Sequence, residues 1–435
     1  MTITFIGHGY VGLVTACVFA DFGNTVWVLG RTPEKLERLK KGDPIIFEPG
    51  LKELLEKNLK AGRIHFTDKY EEAVPPADVI FTAVGTPPKE KGEADLTEVL
   101  GVAEKIGKNL KKGLTIVSCK STVPVGTNLE VKKIIDKVKG EGVEFEIASC
   151  PEFLREGTGI EDTMKPDRVV IGSNSQRAID VLLEMHEPLT GERIITDLAS
   201  AELIKYASNA MLATKISFAN LISFYCEKCG ADVEQVLTAV GMDKRIGRRF
   251  LYPGVGYGGS CLPKDVKAIL TTGGQYGVDT ALLDSVELVN EQAATNYIEK
   301  IYNHIPGKRI AIWGLAFKPD TDDIRFAPAL KVIKTLLEKG YEIHAYDSEA
   351  AENVKKQIGD KITYHENAYD AVKDADGLCI LTEWNEFKQA DLKKVKSLLK
   401  SPVIVDGRNL YDLADMDKLE FTYISTGRRP IRSKI

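Results

Sequence analysis

A chain of 435 residues, 43% of them hydrophobic, exceeds what one core ordinarily supports and has enough apolar side chains for two or three. Its 58 basic and 63 acidic residues leave a formal charge of -5, without the basic excess that holds a nucleic-acid backbone, so nucleic acid is excluded as a partner. No apolar run approaches the roughly 20 residues that cross a bilayer: the run from Ala207 to Tyr225 is broken by Lys215, Ser217 and Asn220, which excludes membrane insertion.

The first residues, Met1 to Gly7, lack the basic flank and long apolar stretch of a signal peptide and read as a buried strand. A cytoplasmic protein with reduced cysteines is expected. After the strand Ile3–Ile6 comes Gly7-His8-Gly9-Tyr10-Val11-Gly12, a G-x-G-x-x-G that opens the helical stretch Val14–Phe22. In that context the glycines permit a tight turn and let a pyrophosphate rest on free N–H groups at the helix start. The second strand, Val26–Leu29, runs into Gly30-Arg31-Thr32, where a carboxylate usually holds the ribose hydroxyls. A glycine leaves room for an extra phosphate and Arg31 can bind it bidentately, which favours NADP over NAD; an Arg31 that only stacks on adenine or faces solvent keeps NAD open. Strands at Val79–Val84, Thr115–Ser118, Glu144–Ala148 and Arg168–Ile171 alternate with amphipathic stretches, the pattern of a parallel sheet with helical crossovers. Residues 1–198 are therefore expected to form a dinucleotide-binding Rossmann domain.

From about Ala199 strand signals fade, and Leu203, Ala207, Met211, Thr214, Phe218, Ile222 and Tyr225 recur at helical spacing. A long central helix is expected within a helical dimerisation region, 199–300, offering an apolar face to a second subunit; burial inside its own domain fits the same pattern. A homodimer or higher oligomer is favoured. Cys226 and Cys229 lie inside the helical run with no second ligand pair and read as helix packing. The loop Gly254-Val255-Gly256-Tyr257-Gly258-Gly259-Ser260-Cys261-Leu262-Pro263-Lys264-Asp265 is different. Ser260 as N-cap and Pro263 in the first turn place Cys261 at a helix N-terminus, where the dipole and Lys264 favour the thiolate. Asp265, four residues on, shares its face and can act as a base or orient water. Cys17, Cys119, Cys150 and Cys379 read as core cysteines.

A second cycle starts at Lys308: strand Arg309–Trp313, a glycine, a helix ending near Gly340, strand Glu342–Tyr346 ending at Asp347, then strands Gly377–Leu381 and Val403–Val405. Gly314 opens a Rossmann-like turn without the remaining glycines, which suits one nucleotide's diphosphate better than a dinucleotide. The expected fold is α/β: two Rossmann-like, doubly wound parallel-sheet domains, the second over 301–435, joined by a long central helix and helical region. The six histidines have no metal-ligand spacing, and no catalytic metal is expected.

Beyond these readings the chain resembles the UDP-glucose dehydrogenase family, within the wider UDP-glucose and GDP-mannose dehydrogenase superfamily. The resemblance spans nearly the whole chain. It rests on the Gly7–Gly12 loop, Gly85-Thr86-Pro87, Ser121-Thr122-Val123-Pro124-Val125-Gly126-Thr127, Pro151-Glu152-Phe153-Leu154-Arg155-Glu156-Gly157, Glu202-Leu203-Ile204-Lys205-Tyr206 with Asn209, the Cys261 loop, Gly314-Leu315-Ala316-Phe317-Lys318-Pro319 and Asp406-Gly407-Arg408-Asn409.

The resemblance implies that Cys261 attacks an aldehyde formed in a first oxidation and carries a thiohemiacetal, then a thioester, so that a reactive aldehyde cannot escape. Lys205 and Asn209, sharing one helical face, would stabilise oxygen charge at the sugar's C6; without that role they read as a solvated lysine and a surface asparagine. Glu152 would be the acid/base carboxylate, with Thr122 and Asp265 holding a water. Whether Asp265, Glu152 or Lys205 through water takes the first proton stays open. Gly7, Gly9, Tyr10, Val11, Gly12, Gly30, Arg31, Lys35, Gly85, Thr86, Ser121, Thr122, Glu156 and Arg325 would line the dinucleotide. Glu152, Phe153, Leu154, Lys205, Asn209, Phe250, Tyr252, Gly258, Phe317, Lys318 and Arg408 would line a UDP-sugar, with Arg245 reaching across from another subunit. A GDP-mannose dehydrogenase shares the thiol and the Pro151–Glu156 stretch, although Asp167–Gly172 looks more like the UDP-glucose branch; the N-acetylhexosamine dehydrogenases usually differ at Phe153-Leu154. A non-catalytic dinucleotide sensor is the rival of another class, and it has no use for a thiol in such company.

Overall fold

Continuous apolar runs become strands packed on both faces, and amphipathic stretches become the helices that cover them. The computed structural model describes residues 1–111 and 113–432. It separates into two units, Met1–Ser208 with Lys267–Tyr276, and Asn209–Val266 with Gly277–Ile435.

The first unit holds an eight-stranded sheet of β1 (Thr2–Ile6), β2 (Thr25–Leu29), β3 (Ile64–Thr67), β4 (Val79–Thr82), β5 (Gly113–Cys119), β6 (Val143–Ser149), β7 (Arg168–Gly172) and β8 (Glu192–Thr196), in the order β3-β2-β1-β4-β5-β6-β7-β8. Side chains two apart share a face. Ile3 and Phe5 of β1 join Leu13, Cys17 and Phe19 of the helix Tyr10–Asp21, while Ile6 joins Val99, Val102 and Ile106 of the helix Thr97–Asn109 on the other face. Both faces are covered, as a parallel sheet requires.

One pairing departs from the expected parallel sheet: β6 meets β7 antiparallel, at Ser149 and Gly172. A parallel partner would need the chain carried back across the sheet, and between these strands stands only the short helix Gly159–Met164. The dinucleotide helix also starts earlier than its sequence pattern suggests, at Tyr10.

The second unit holds a six-stranded parallel sheet of β9 (Arg309–Trp313), β10 (Glu342–Tyr346), β11 (Thr363–Tyr364), β12 (Gly377–Ile380), β13 (Val403–Asp406) and β14 (Thr422–Ile424), ordered β11-β10-β9-β12-β13-β14. Its first crossover is not a helix springing from the glycine; the helix begins only at Pro328, and residues 315–327 form a loop. Between the sheets the chain is helical, as expected. The central helix runs unbroken for 32 residues, Leu198–Cys229, followed by helices Val233–Met242, Leu262–Gln275 and Ala281–His304. No helix among the described residues is long and apolar enough to cross a membrane.

Candidate active site

In the first unit the sequence-predicted residues gather at the carboxyl ends of β2, β1, β4, β5 and β6, where an open parallel sheet leaves a crevice. Gly7 takes φ +119, and a Cβ on it would lie 2.3 Å from the Ala83 carbonyl oxygen. A Cβ on Gly12 would lie 2.1 Å from the Gly7 oxygen. These two glycines are demanded by the protein's own packing. Gly9 is not: nothing lies within 4 Å of its missing Cβ, and it caps the helix without a side-chain bond. That open helix start, with half-buried Tyr10 and Val11 in its first turn, fits a pyrophosphate. Beside it, Gly85 and Thr86 follow β4; the Thr86 hydroxyl donates to the Thr122 carbonyl at 3.0 Å, and the Ser121 hydroxyl to the Val84 carbonyl at 2.7 Å.

The end of β2 differs from expectation in one respect. The room left by Gly30 is already filled: a Cβ there would stand 2.5 Å from His8 Cδ2 and 3.0 Å from Leu36 Cδ2. Arg31 is 80% exposed, with Nη1 3.4 Å from Glu98 Oε1, a pairing too exposed to hold it. Lys35 is exposed on the next helix.

Glu152 and Lys205 form a buried pair. The ammonium donates to the Glu152 carbonyl at 2.7 Å and to its Oε1 at 3.1 Å, while Oε2 accepts from the Leu154 N–H at 2.7 Å. Phe153 lies under the Arg168 guanidinium, 4.0 Å from the ring centroid, and 5.3 Å from the Lys205 ammonium. Leu154 packs against the core. The segment that carries these residues and half-buried Glu156 is tied down at Gly157, whose N–H lies 2.7 Å from both the Tyr10 hydroxyl and Glu48 Oε2. Glu48 also accepts from the Ile160 N–H at 3.2 Å.

Sequence reasoning missed Glu48 and Arg168, and it missed Lys120. Lys120 directly precedes Ser121-Thr122, is buried at the end of β5, and stands 5.4 Å over the Phe81 ring. Burial pushes its amine below the ordinary lysine range, with Cys150 and Glu152 opposing and Lys205 adding. A lysine ending an otherwise uncharged buried strand was the available signal.

In the second unit the thiol loop lies against the carboxyl edge of the six-stranded sheet. A Cβ on Gly254 would meet the Gly407 oxygen at 2.7 Å, one on Gly258 the Phe326 oxygen at 2.3 Å, and one on Gly259 the Phe317 ring at 2.7 Å. The glycines are therefore what let this loop touch the turns after β9 and β13, bringing Gly258, Phe317 and Arg408 together. Arg408 donates from Nε to the Leu381 carbonyl at 2.8 Å and from Nη2 to the Phe317 carbonyl at 3.3 Å, with Glu383 Oε2 3.1 Å from Nε. The Lys318 ammonium lies 5.9 Å from the Phe317 ring. Phe250 holds φ +67, rare for a bulky residue, and Tyr252 is exposed with the Arg248 guanidinium 4.4 Å from its ring. Arg325 is clamped by Asp323 at 2.7 to 3.0 Å, while its carbonyl accepts from the Gly259 N–H. Arg245 is 88% exposed and paired to Asp243.

Cys261 is exposed and directly precedes the helix Leu262–Gln275; its carbonyl accepts from the Asp265 N–H at 2.9 Å, making Cys261 itself the N-cap in place of Ser260. Asp265 is fully buried and accepts from Asn209 Nδ2 at 2.5 Å and from the Lys264 ammonium. Lys264 thus balances Asp265, and Cys261 stands at the start of the helix. Cys17, Cys119 and Cys379 are sealed in the cores, where burial pushes each thiol up to about 12.

Three successive segments match domains of one family: residues 1–190 the NAD binding domain, 199–292 the central domain and 311–413 the UDP binding domain of the UDP-glucose/GDP-mannose dehydrogenase family. UDP-glucose 6-dehydrogenase TuaD of Bacillus subtilis is 45% identical over 99% of this chain and 94% of its own length. UDP-glucose 6-dehydrogenase of Rhizobium meliloti is 44% identical over 98% of this chain and 100% of its own. The solved UDP-glucose dehydrogenase from the hyperthermophilic archaeon Pyrobaculum islandicum superposes with a TM-score of 0.91 at 38% identity, covering 98% of this chain and 96% of that one. An exposed thiol on a glycine-built loop, two buried carboxylate pairs and this continuous match along the sequence have one common explanation: the chain belongs to the UDP-glucose/GDP-mannose dehydrogenase family.

Proposed function

We propose that this chain oxidises UDP-glucose to UDP-glucuronate with two equivalents of nicotinamide dinucleotide, through a covalent intermediate on Cys261. The observation that carries the reading is the exposed Cys261 at a helix start, one turn from the buried Asn209–Asp265 pair, on a loop packed against the nucleotide-binding edge of the second sheet. The bound nicotinamide supplies hydride acceptance in two rounds. In the first, C6 loses a hydride and its hydroxyl a proton, giving an aldehyde. The Cys261 sulfur then adds to the carbonyl carbon as the thiol proton passes to oxygen. The thiohemiacetal loses a second hydride and its hydroxyl proton to become a thioester, and water cleaves the C–S bond to release the acid and the thiol.

Lys205 and Asn209, four apart on one helix, stabilise the oxygen charge. Glu152, Asp265 and Thr122 orient water and move protons, the carboxylates being held in place by Lys205 and Asn209 respectively. Arg408, Lys318 and Phe317 serve the nucleotide diphosphate and its base. Arg31 and Lys35 favour NADP by meeting a 2'-phosphate. In the working division, residues 1–198 bind the dinucleotide and 301–435 the nucleotide-sugar. Residues 199–300 build a homodimer through Met211, Phe218, Leu221 and Tyr225, which stand exposed along the central helix, with Arg245 acting across subunits.

The test is a substrate and cofactor matrix: UDP-glucose, GDP-mannose and UDP-N-acetylmannosamine against NAD and NADP. UDP-glucose with NADP should turn over fastest; preference for GDP-mannose would replace the substrate, and no reduced dinucleotide with any sugar would indicate a sensor. Cys261→Ser should keep dinucleotide binding and abolish acid release, and normal acid production by that variant would remove the covalent step. Arg31→Asp should move preference towards NAD. Light scattering should give a dimer, converted to monomer by Tyr225→Glu.

A further inference from the structure

The dinucleotide loop contains a side chain to which the proposed reaction gives no role. His8 sits between Gly7 and Gly9, and its ring occupies the space in which a side chain on residue 30 would stand: Cδ2 and Cγ lie 2.5 and 3.0 Å from a Cβ built on Gly30. Gly30 is not at a positive φ, so its backbone would accept another residue and what excludes one is chiefly this ring. His8 and a carboxylate at the end of β2 are therefore alternatives. The ring's Nε2 is buried and finds no hydrogen-bond partner among the described residues, a state that costs free energy unless the ring turns to meet a partner. Burial, and after it the charges of Lys35 and Arg31, keeps the imidazole below its ordinary range.

We infer that His8 and Gly30 work as an exchange pair that sets dinucleotide selectivity, with the imidazole taking the place of a ribose-binding carboxylate and offering its ring nitrogen to the 2'-substituent of the adenosine. A carboxylate at this position accepts from a 2'-hydroxyl and repels a 2'-phosphate. An imidazole N–H beside Arg31 and Lys35 reverses that preference. The inference rests on reading the 7–12 loop as a dinucleotide site, and it deepens the NADP assignment by naming the residue that makes a glycine at position 30 necessary.

Calorimetric titration of the full-length protein with NADP and with NAD tests it, using His8→Ala, His8→Gln, Gly30→Asp and the double variant His8→Ala/Gly30→Asp. His8→Ala should lower the NADP-to-NAD affinity ratio about tenfold, the worth of one hydrogen bond to a charged group, and His8→Gln, which keeps a donor, should recover part of it. Gly30→Asp alone should weaken both ligands because its Cβ meets the ring. Adding His8→Ala to Gly30→Asp should restore NAD binding at least tenfold, whereas adding it to the parent should not improve NAD binding. An unchanged ratio in His8→Ala, or additive effects around the cycle, overturns the exchange. A parent ratio below one, with the ratio still falling in His8→Ala, overturns the NADP preference and leaves the exchange standing. Should Gly30→Asp fail to fold, the His8→Ala and His8→Gln ratios decide alone.

Discussion

The two sheets begin with the same device and use it differently. After β1 the turn ends on Gly9, with nothing within 4 Å of its missing Cβ, and the strand beside it is followed by a glycine, Gly30. After β9 the corresponding turn is closed by the protein itself. Asp347, at the end of β10, accepts from the Leu315 and Ala316 N–H groups at 2.6 and 3.0 Å and from the Trp384 indole at 3.1 Å. Its other oxygen accepts from the Glu349 and Ala350 N–H groups. A cradle whose amides are already taken by a carboxylate cannot also take a pyrophosphate there. One Rossmann unit thus keeps its helix start open, and the other has turned the same position into structure, so the ligand proposed for the second sheet is assigned to the Arg408 and Phe317 side instead.

Substitutions can break this contrast. Asp347→Ala should have the largest effect on stability, about 3 kcal/mol or more, since several buried donors lose their acceptor at once; urea unfolding reads it, and a loss under about 1 kcal/mol would mean the turn is not held as described. Gly12→Ala should cost about 1 to 3 kcal/mol, because its Cβ meets backbone and not a side chain end, and dinucleotide affinity should fall with it. The two units should also differ in acid. His186, buried under the first sheet with Nδ1 2.7 Å from the Leu182 carbonyl, is held by burial at about 3. Its folded value is depressed below the ordinary 6.5, so the unfolded chain binds the extra proton first. The stability it permits is full above about pH 6.5 and declines as pH falls towards 3, by up to about 1.4 kcal/mol per pH unit. His186→Gln should flatten that acid limb, and an unchanged slope would place the acid sensitivity elsewhere. The smallest change in stability, within about 0.5 kcal/mol, is expected for Gly9→Ala, with dinucleotide affinity nonetheless reduced at least tenfold. A melting temperature that falls as in Gly12→Ala would show that Gly9, too, is needed by the fold.

The inner strands of both sheets were legible because burial on both faces leaves dense apolar runs, as in Val79–Thr82 and Val403–Asp406. The edge strands β3, β8, β11 and β14 were not, and all four lie at the ends of their sheets. An edge strand is covered on fewer sides, so its composition is less constrained; β8 leaves Ile194 and Ile195 exposed. The residues nominated in sequence lie in the expected loops and helices. Glu48, Lys120 and Arg168 escaped notice because their partners lie far along the chain, at Gly157, Glu152 and Phe153.

Taken alone, the order of residues determined the α/β class, the glycine turn and its helix, the long central helix, and a cysteine set among glycines at a helix start. Each of these is a local pattern, written by periodicity, capping and backbone permissiveness over a few neighbouring positions. Only the folded chain decided that the gap at Gly30 is filled by His8, that Lys205 and Glu152 neutralise each other in the interior, and that Asp347 closes the second turn. Those outcomes depend on which distant atoms compete for the same volume or the same hydrogen bond, and packing alone settles such competition.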